Sequence, residues 1–417
     1  MSATHVLTDR GAQINMSVDE PRLTGPGRMR KQMPLPDDAQ LISVDDHVIE
    51  HPRVWLDRVP SRFGDAIPHI QRLPDGNDWW IFEGEKAGNF ALNAVVGKPK
   101  EQFGVEPRTY DDMRSGCHDI AERIRDMDID GVWVQTCFPN MAGFAGRVFE
   151  AARDKELAQA CVTAYNDWIL DEWCTYAPDR QIPVALLPYW DIGAAVKEVY
   201  RVADKGARTY TFLELPHLRG FPSYHTDHWD PLLAATQETD LAISVHFGGS
   251  GKSDMIPPEG GLAGNTVNEI TVMGLNSAFA MAQLLTSPTF HKFPRLRFAL
   301  SEGGIGWLPY LLERIDYVWE RHRWYNNINR EIPPSVLFKD HIFGCFISDR
   351  AGIADRHLIG VDNIMFESDY PHSDSNWPHS RKMLAEVLAD VPDDEARKIA
   401  ELNARRVFNF PRTGAAR

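Results

Sequence analysis

Eight short apolar runs alternate with longer helical stretches along this chain, and that rhythm leaves few folds open to it. The runs fall at 41–45, 131–136, 182–187, 209–214, 242–246, 296–300, 342–346 and 363–367, with helical patterns at 117–129, 145–177, 191–204, 229–239, 269–286, 306–322 and 381–390. Strands that alternate with helices pair in parallel, and eight is the number that closes a (β/α)8 (TIM) barrel of the α/β class. A doubly wound open sheet is the competing arrangement, and the barrel is the favoured one. Asp191 and Asp230 stand where two helices begin, and Pro231 suits a first helical turn.

The 417 residues accommodate one such barrel with insertions. The expected organisation is an extended N-terminal arm over 1–40, a barrel over 41–410 and a short tail over 411–417. The rhythm breaks at 48–115, which reads as an insertion after the first strand. Within it, 78–85 resembles a hairpin strand, with turns at Asp75-Gly76 and Glu83-Gly84. An insertion there sits over the mouth of a barrel, as a lid or a structural cap.

The net charge of −15 argues against a nucleic-acid surface. No apolar run approaches a membrane span. Five scattered cysteines, without CxxC spacing, fit reduced thiols in the cytoplasm. The expected partner is a small-molecule substrate; the arm reads first as a solvated tail and otherwise as a wrap around a partner subunit, and a homodimer is the expected assembly.

Barrel enzymes collect functional groups at the C-terminal ends of strands. Asp45 and His47, at i and i+2, share one strand face. The other strand ends supply Glu214, His246, Glu302 and Asp369. So many carboxylates at one end are costly to bury unless cations compensate them. The loop Gly248-Gly249-Ser250-Gly251-Lys252-Ser253 ends like a phosphate-binding loop, but His246 occupies the place of the required first glycine. Its glycines instead suit close backbone approach.

These residues resemble the amidohydrolase superfamily, in the branch related to aminocarboxymuconate-semialdehyde decarboxylase. The resemblance spans about 40–410. It is carried by Ile42-Ser43-Val44-Asp45-Asp46-His47-Val48-Ile49-Glu50, by Arg125-Asp126-Met127-Asp128-Ile129-Asp130-Gly131-Val132, and by the stretch from Pro222 to Pro231. His246 with its glycine loop, the Glu302–Trp307 stretch and Ser368-Asp369-Tyr370-Pro371-His372 complete it. The resemblance implies that Asp45, His47, His246 and Asp369 bind metal, with Asp369 also handling protons. Many relatives carry His-x-His where this chain has Asp45-x-His47. Relatives that decarboxylate carry a catalytic histidine where this chain has Glu302. Binuclear members bridge two ions from the place of Glu214.

Six candidate ligands exceed the needs of one four- or five-coordinate ion. The expectation is therefore two divalent ions per chain, iron or manganese before zinc: Asp45, His47 and Asp369 on one, His246 and Glu302 on the other, Glu214 between. The leading functional expectation is a metal-dependent hydrolase that directs hydroxide at a carbonyl, with an acyl-CoA thioester among the candidates. The second is a non-oxidative decarboxylase or hydratase of an aromatic or unsaturated acid, and the third a non-catalytic ligand-binding barrel. His372 is a further catalytic candidate. Trp79, Trp80, His225, His228 and Trp307 are candidates for substrate binding.

Overall fold

A computed structural model of the chain describes residues 35–251 and 266–412. The expected arm therefore lies outside the described residues except for 35–40, and so does the tail beyond Arg412. Lys252 and Ser253 of the glycine-rich loop also lie outside.

All eight expected strand positions carry strands. They are β1 (Leu41–Val48), β5 (Val132–Pro139), β6 and β7 (Gln181–Ile182 and Val184–Ala185), β8 (Thr209–Phe212), β9 (Ala242–His246), β10 (Phe298–Ser301), β11 (Ile342–Phe346) and β12 (Ile364–Phe366). The insertion contributes β2 (His69–Arg72), β3 (Asp78–Phe82) and β4 (Glu85–Lys86). The barrel strands form two parallel arcs, β1-β5-β6 and β7-β8-β9-β10-β11-β12. β6 and β7 are one strand position divided at Pro183, which has no N–H to give to a ladder. At the other seam, Asp369 N donates to Asp45 O (2.8 Å) and His47 N to Tyr370 O (2.6 Å). The ring is the expected (β/α)8 barrel.

The barrel's interior is divided along its axis. Ile42, Val44, Val134, Ile182, Ala242, Ala299, Phe343, Cys345 and Met365 pack with Ala404, Val407, Phe408 and Phe410 from the last helical segment. Beside this apolar plug the strand side chains make one modest inward polar contact among the described residues, Thr209 Oγ1 with Ser244 Oγ (2.9 Å), and the charged side chains stand at the C-terminal end of the strands. Outward-facing residues such as Tyr210, Ile243, Phe298 and Leu300 pack under the helices.

Helix boundaries follow local chemistry. Asp191 caps Ile192–Asp204 by accepting from Ala194 N (2.9 Å). The long 145–177 pattern divides because Asp154 starts a new helix, Lys155–Trp168, accepting from Glu156 N and Leu157 N. Asp230 does not cap. It lies in the first turn of Asp230–Thr239 and pairs with Lys292 (2.8 Å). No helix of the described residues is long and apolar enough to cross a membrane.

In the insertion, β2, β3 and β4 form an antiparallel meander. Glu83 and Gly84, both at positive φ (52° and 80°), make the two-residue turn between β3 and β4. Trp80 is wholly buried and meets Trp55 edge-on at 5.0 Å. The segment after the meander reaches the far side of the barrel mouth, where Val95 N and Val96 N donate to Pro371 O.

Glu50, just beyond β1, is wholly buried and accepts from Asn140 N (3.0 Å) and Met141 N, tying β1 to the loop after β5. Burial dominates these hydrogen bonds and raises its pKa from 4.5 to about 7. The unfolded chain therefore releases this proton at lower pH than the folded one. The stability Glu50 contributes is complete below its unfolded pKa and is lost as pH rises toward 7, by about 3 kcal/mol at most. In thermal denaturation between about pH 5 and 8, Glu50→Gln is expected to lose Tm less steeply with rising pH than the natural chain. Equal slopes would remove Glu50 from the account.

Candidate metal centre

The Asp45-x-His47 pair owes its direction to a β-bulge. Ile42 pairs with Val134 and Ser43 with Gln135, but Asp46 pairs with Cys137, so Val44 and Asp45 together oppose one residue of β5. The extra residue resets the pleat. Val44 belongs to the interior plug, and Asp45, next to it in sequence, also faces inward. His47 then returns to the same side. Asp46 points away and is held by Ser368 Oγ (2.5 Å) and Tyr370 N (3.0 Å).

Three further strand ends, those of β9, β10 and β12, converge on this pair. Asp45 Oδ1 lies 3.5 Å from His47 Nε2, and its Oδ2 lies 3.5 Å from His246 Nε2. Glu302 Oε2 is 3.2 Å from His246 Nε2, and Asp369 Oδ1 is 3.2 Å from His47 Nε2. The two imidazole Nε2 atoms are 3.3 Å apart. His246 Nδ1 donates to Phe247 O (2.6 Å), which leaves its Nε2 with a free lone pair. Asp45, His47, His246 and Glu302 form one group of mutually close ligand atoms, and His47, Asp369 and His372 form another. His372 Nδ1 is 2.9 Å from Asp369 Oδ1, and its ring stacks on His47 at 3.9 Å.

This arrangement fits a divalent cation. Both carboxylate oxygens of Asp45 and of Asp369 are buried without a well-directed hydrogen-bond donor, His372 Nδ1 standing 2.9 Å from Asp369 Oδ1. Burial, with Glu367, Glu302 and Asp369 nearby, holds Asp45 well above the usual carboxylate range. Burial and Glu302 do the same to Asp369. Such a cluster without a cation must take up protons or remain unstable. Asp369 and Glu302 also occupy positive φ (55° and 52°), a conformation costly for residues other than glycine. Each costs roughly 1–3 kcal/mol, the kind of local strain that accompanies a functional constraint.

Several expected residues stand elsewhere. Glu214 is not free to bridge ions: its Oε1 accepts from Gly248 N (3.0 Å), and its Oε2 from Ser250 N (2.7 Å) and Ser250 Oγ (2.9 Å). Three donors occupy most of its acceptor capacity, so Glu214 latches the loop after β9. His225 and His228 are exposed, in the turn before Asp230–Thr239. Trp80 belongs to the packing of the insertion, Trp79 carries Lys86 over its ring, and Trp307 donates to Gly303 O (2.8 Å). None of these five lines the cavity at the metal centre, because each already has a packing partner or faces solvent.

That cavity has a volume of about 280 Å³, and its described walls include Leu92, Phe103, Val105, Phe144, Phe247 and Ile270, with Glu302, Asp369 and His372 at one end. The insertion does shape the mouth, but through 92–105 rather than its tryptophans. Four residues went unassigned by sequence reasoning. Phe144 packs 4.0 Å from His246 and 4.9 Å from His47. Arg123 is buried and donates to His47 O (2.6 Å) and Gly116 O (2.6 Å). Glu367 is buried, accepting from Glu302 N (3.1 Å) with its other oxygen unpartnered. Asn93 donates to Ser373 Oγ (2.7 Å). Glu367 alone had a sequence signal, as a charged strand end two residues before Asp369.

A single ion is the simplest occupant once Glu214 is removed from the ligand set. Elemental analysis of protein purified from metal-supplemented medium should give a value near one divalent ion per chain. The value should be unchanged in Glu214→Gln and sharply lower in Asp45→Asn. A value near two, falling to one in Glu214→Gln, would restore the bridging role.

The chain is similar to characterised proteins. Gamma-resorcylate decarboxylase from a Rhizobium species is 26% identical over 345 residues, covering 78% of this chain and 98% of the relative. The structure of 5-carboxyvanillate decarboxylase from Sphingomonas paucimobilis superposes with a TM-score of 0.63 at 19% identity, covering 89% of this chain and 100% of the other. A dihydroxybenzoic acid decarboxylase from Polaromonas, solved with manganese and 2-nitroresorcinol, gives 0.60 at 18% identity, covering 90% and 98%. The expectation of a hydrolase acting on a carbonyl such as a thioester is corrected by these relatives, which are named as decarboxylases of aromatic acids. Residues 47–410 match the amidohydrolase family, and the chain belongs to it.

Proposed function

We propose that this protein is a metal-dependent, non-oxidative decarboxylase of an aromatic acid. The observation that carries the reading is the cavity itself: a slot with apolar walls, of a size for one substituted ring, that ends on Asp369, His372 and Glu302. The relatives named for resorcylate and carboxyvanillate decarboxylation support it.

Asp45, His47 and His246 would hold one ion, with Glu302 and Asp369 beside them. When bound, a divalent ion such as the manganese of the Polaromonas structure supplies positive charge that offsets these carboxylates and orients an anionic substrate. Leu92, Phe103, Val105, Phe144 and Phe247 would sandwich the ring and exclude water. Loss of carbon dioxide breaks a carbon–carbon bond and leaves its electron pair on the ring carbon, which must take a proton. Asp369 is placed to carry that proton: it stands at the end of the cavity, with Oδ1 3.2 Å from His47 Nε2 and 2.9 Å from His372 Nδ1. His372, pushed by burial down to about 4, is neutral at physiological pH, and it can relay a replacement proton to Asp369 by taking one up at its unpartnered Nε2 as Nδ1, 2.9 Å from Asp369 Oδ1, gives one up. The apolar walls suit departure of a neutral gas.

Glu302 stands where the resemblance to the decarboxylase branch implies a histidine. Its 3.2 Å approach to His246 puts the carboxylate beside the ligand sphere. It therefore acts here as a charge-balancing group rather than as the proton donor.

A panel of ortho-hydroxylated benzoates, 2,6-dihydroxybenzoate and 5-carboxyvanillate included, should release carbon dioxide with manganese-loaded protein. Asp369→Asn and His372→Asn are each expected to lower kcat by roughly 10²- to 10⁴-fold, with metal content retained in His372→Asn. Absence of carbon dioxide from the entire panel, with metal shown to be bound, would overturn the reading.

A further inference from the structure

A second cleft lies away from the metal centre, between three elements that the proposed reaction does not use. Its walls come from the β3–β4 hairpin (Phe82, Glu83, Lys86, Gly88), the 147–152 segment, and Arg219 in the turn after β8, and it encloses about 460 Å³. Arg147 and Arg219 both line it, with Glu83 and Glu85 on the hairpin wall. Arg219 pairs with Glu150 through Nη2, while its Nε is buried with no partner.

Arg147 is half-buried, and its guanidinium makes no hydrogen bond or ion pair with any described residue. Its stem is seated on Gly143, where a Cβ would fall 2.7 Å from Arg147 Cγ, so the glycine makes the bed on which the arginine lies. Burial and the charge of Arg219 both weigh against the Arg147 cation. Of the two acids in the wall, Glu83 is committed, accepting from Arg153 N (2.9 Å) and Asp154 N (2.8 Å), while Glu85 is exposed and lies 3.7 Å from Arg153. The hydroxyl of Tyr189 is wholly buried, lacks a partner, and sits within the electrostatic reach of both arginines. Lys86 adds a third cation to the wall.

Two partly desolvated guanidinium groups side by side, with donors left unused, are destabilising by themselves. They become favourable when an oxyanion accepts from both. In a chain of net charge −15, a lining with three cations and two acids departs from the average of the surface. We propose that this cleft is a binding site for a small oxyanion, phosphate or carboxylate in type, held by Arg147 and the free edge of Arg219. The site is separate from the metal centre and does not depend on the reaction catalysed there.

The test uses the full chain, with and without metal, and inorganic phosphate or malonate as the probe, against sodium chloride at matched ionic strength. Phosphate, malonate or both should raise the Tm and bind once per chain in calorimetry, in the metal-free protein as well as the loaded one. The responding anion identifies the source. Arg147→Gln should weaken binding about tenfold or more, Arg147→Lys less, and the remote Lys382→Gln not at all. If Arg147→Gln fails to fold by circular dichroism, Arg219→Gln takes its place with the same expectation. Binding that survives the arginine variants but disappears on metal removal would place the anion at the metal centre and overturn the proposal. So would the absence of any anion-specific response in the natural chain.

Discussion

Negative charge gathered where water is excluded is the constraint on which this structure turns. Asp45, Glu302, Glu367 and Asp369 converge at the top of the barrel, and burial holds three of them well above the ordinary carboxylate range. Such a cluster is tolerable only with protons or a cation among the oxygens. The apolar plug beneath it, built from Ile42, Val44, Phe343 and their neighbours, blocks any retreat of these groups into the barrel. The tight contacts of the surrounding chain, with Arg123 on His47 O and Asp46 on Tyr370 N, hold the ligands in place.

The same constraint explains the division of labour among the acids. Carboxylates that find backbone N–H donors become structural: Glu214 latches the loop after β9, Glu50 secures the loop after β5, and Asp46 ties β1 to the end of β12. Carboxylates that find none, Asp45 and Asp369, are available to a metal. Residue type does not separate the two classes, since all are acids near strand ends. The donors that separate them come from loops distant in sequence.

Much of the barrel was legible because its signals are local. Strand position follows from short apolar runs between helical patterns, and all eight appear where those runs lie. The Glu83-Gly84 turn was legible for the same reason. Convergence of Asp45, His47, His246, Glu302 and Asp369 could be anticipated, because parallel strands in a barrel all end on one side. The substrate wall was not legible. Leu92, Phe103 and Val105 come from irregular chain whose path depends on contacts such as Val95 N to Pro371 O, and tryptophans drew attention by size alone.

Sequence patterning thus settles which residues arrive at the catalytic end, since period and strand order require no knowledge of distant contacts. Tertiary structure settles which of them are free to act. The bulge at Val44–Asp45 turns Asp45 inward beside His47, and the donors of Gly248 and Ser250 take Glu214 out of the ligand set. Both effects arise from pairing between segments far apart in the chain. A register shift or a carboxylate held by loop donors leaves no trace in the residues that undergo it.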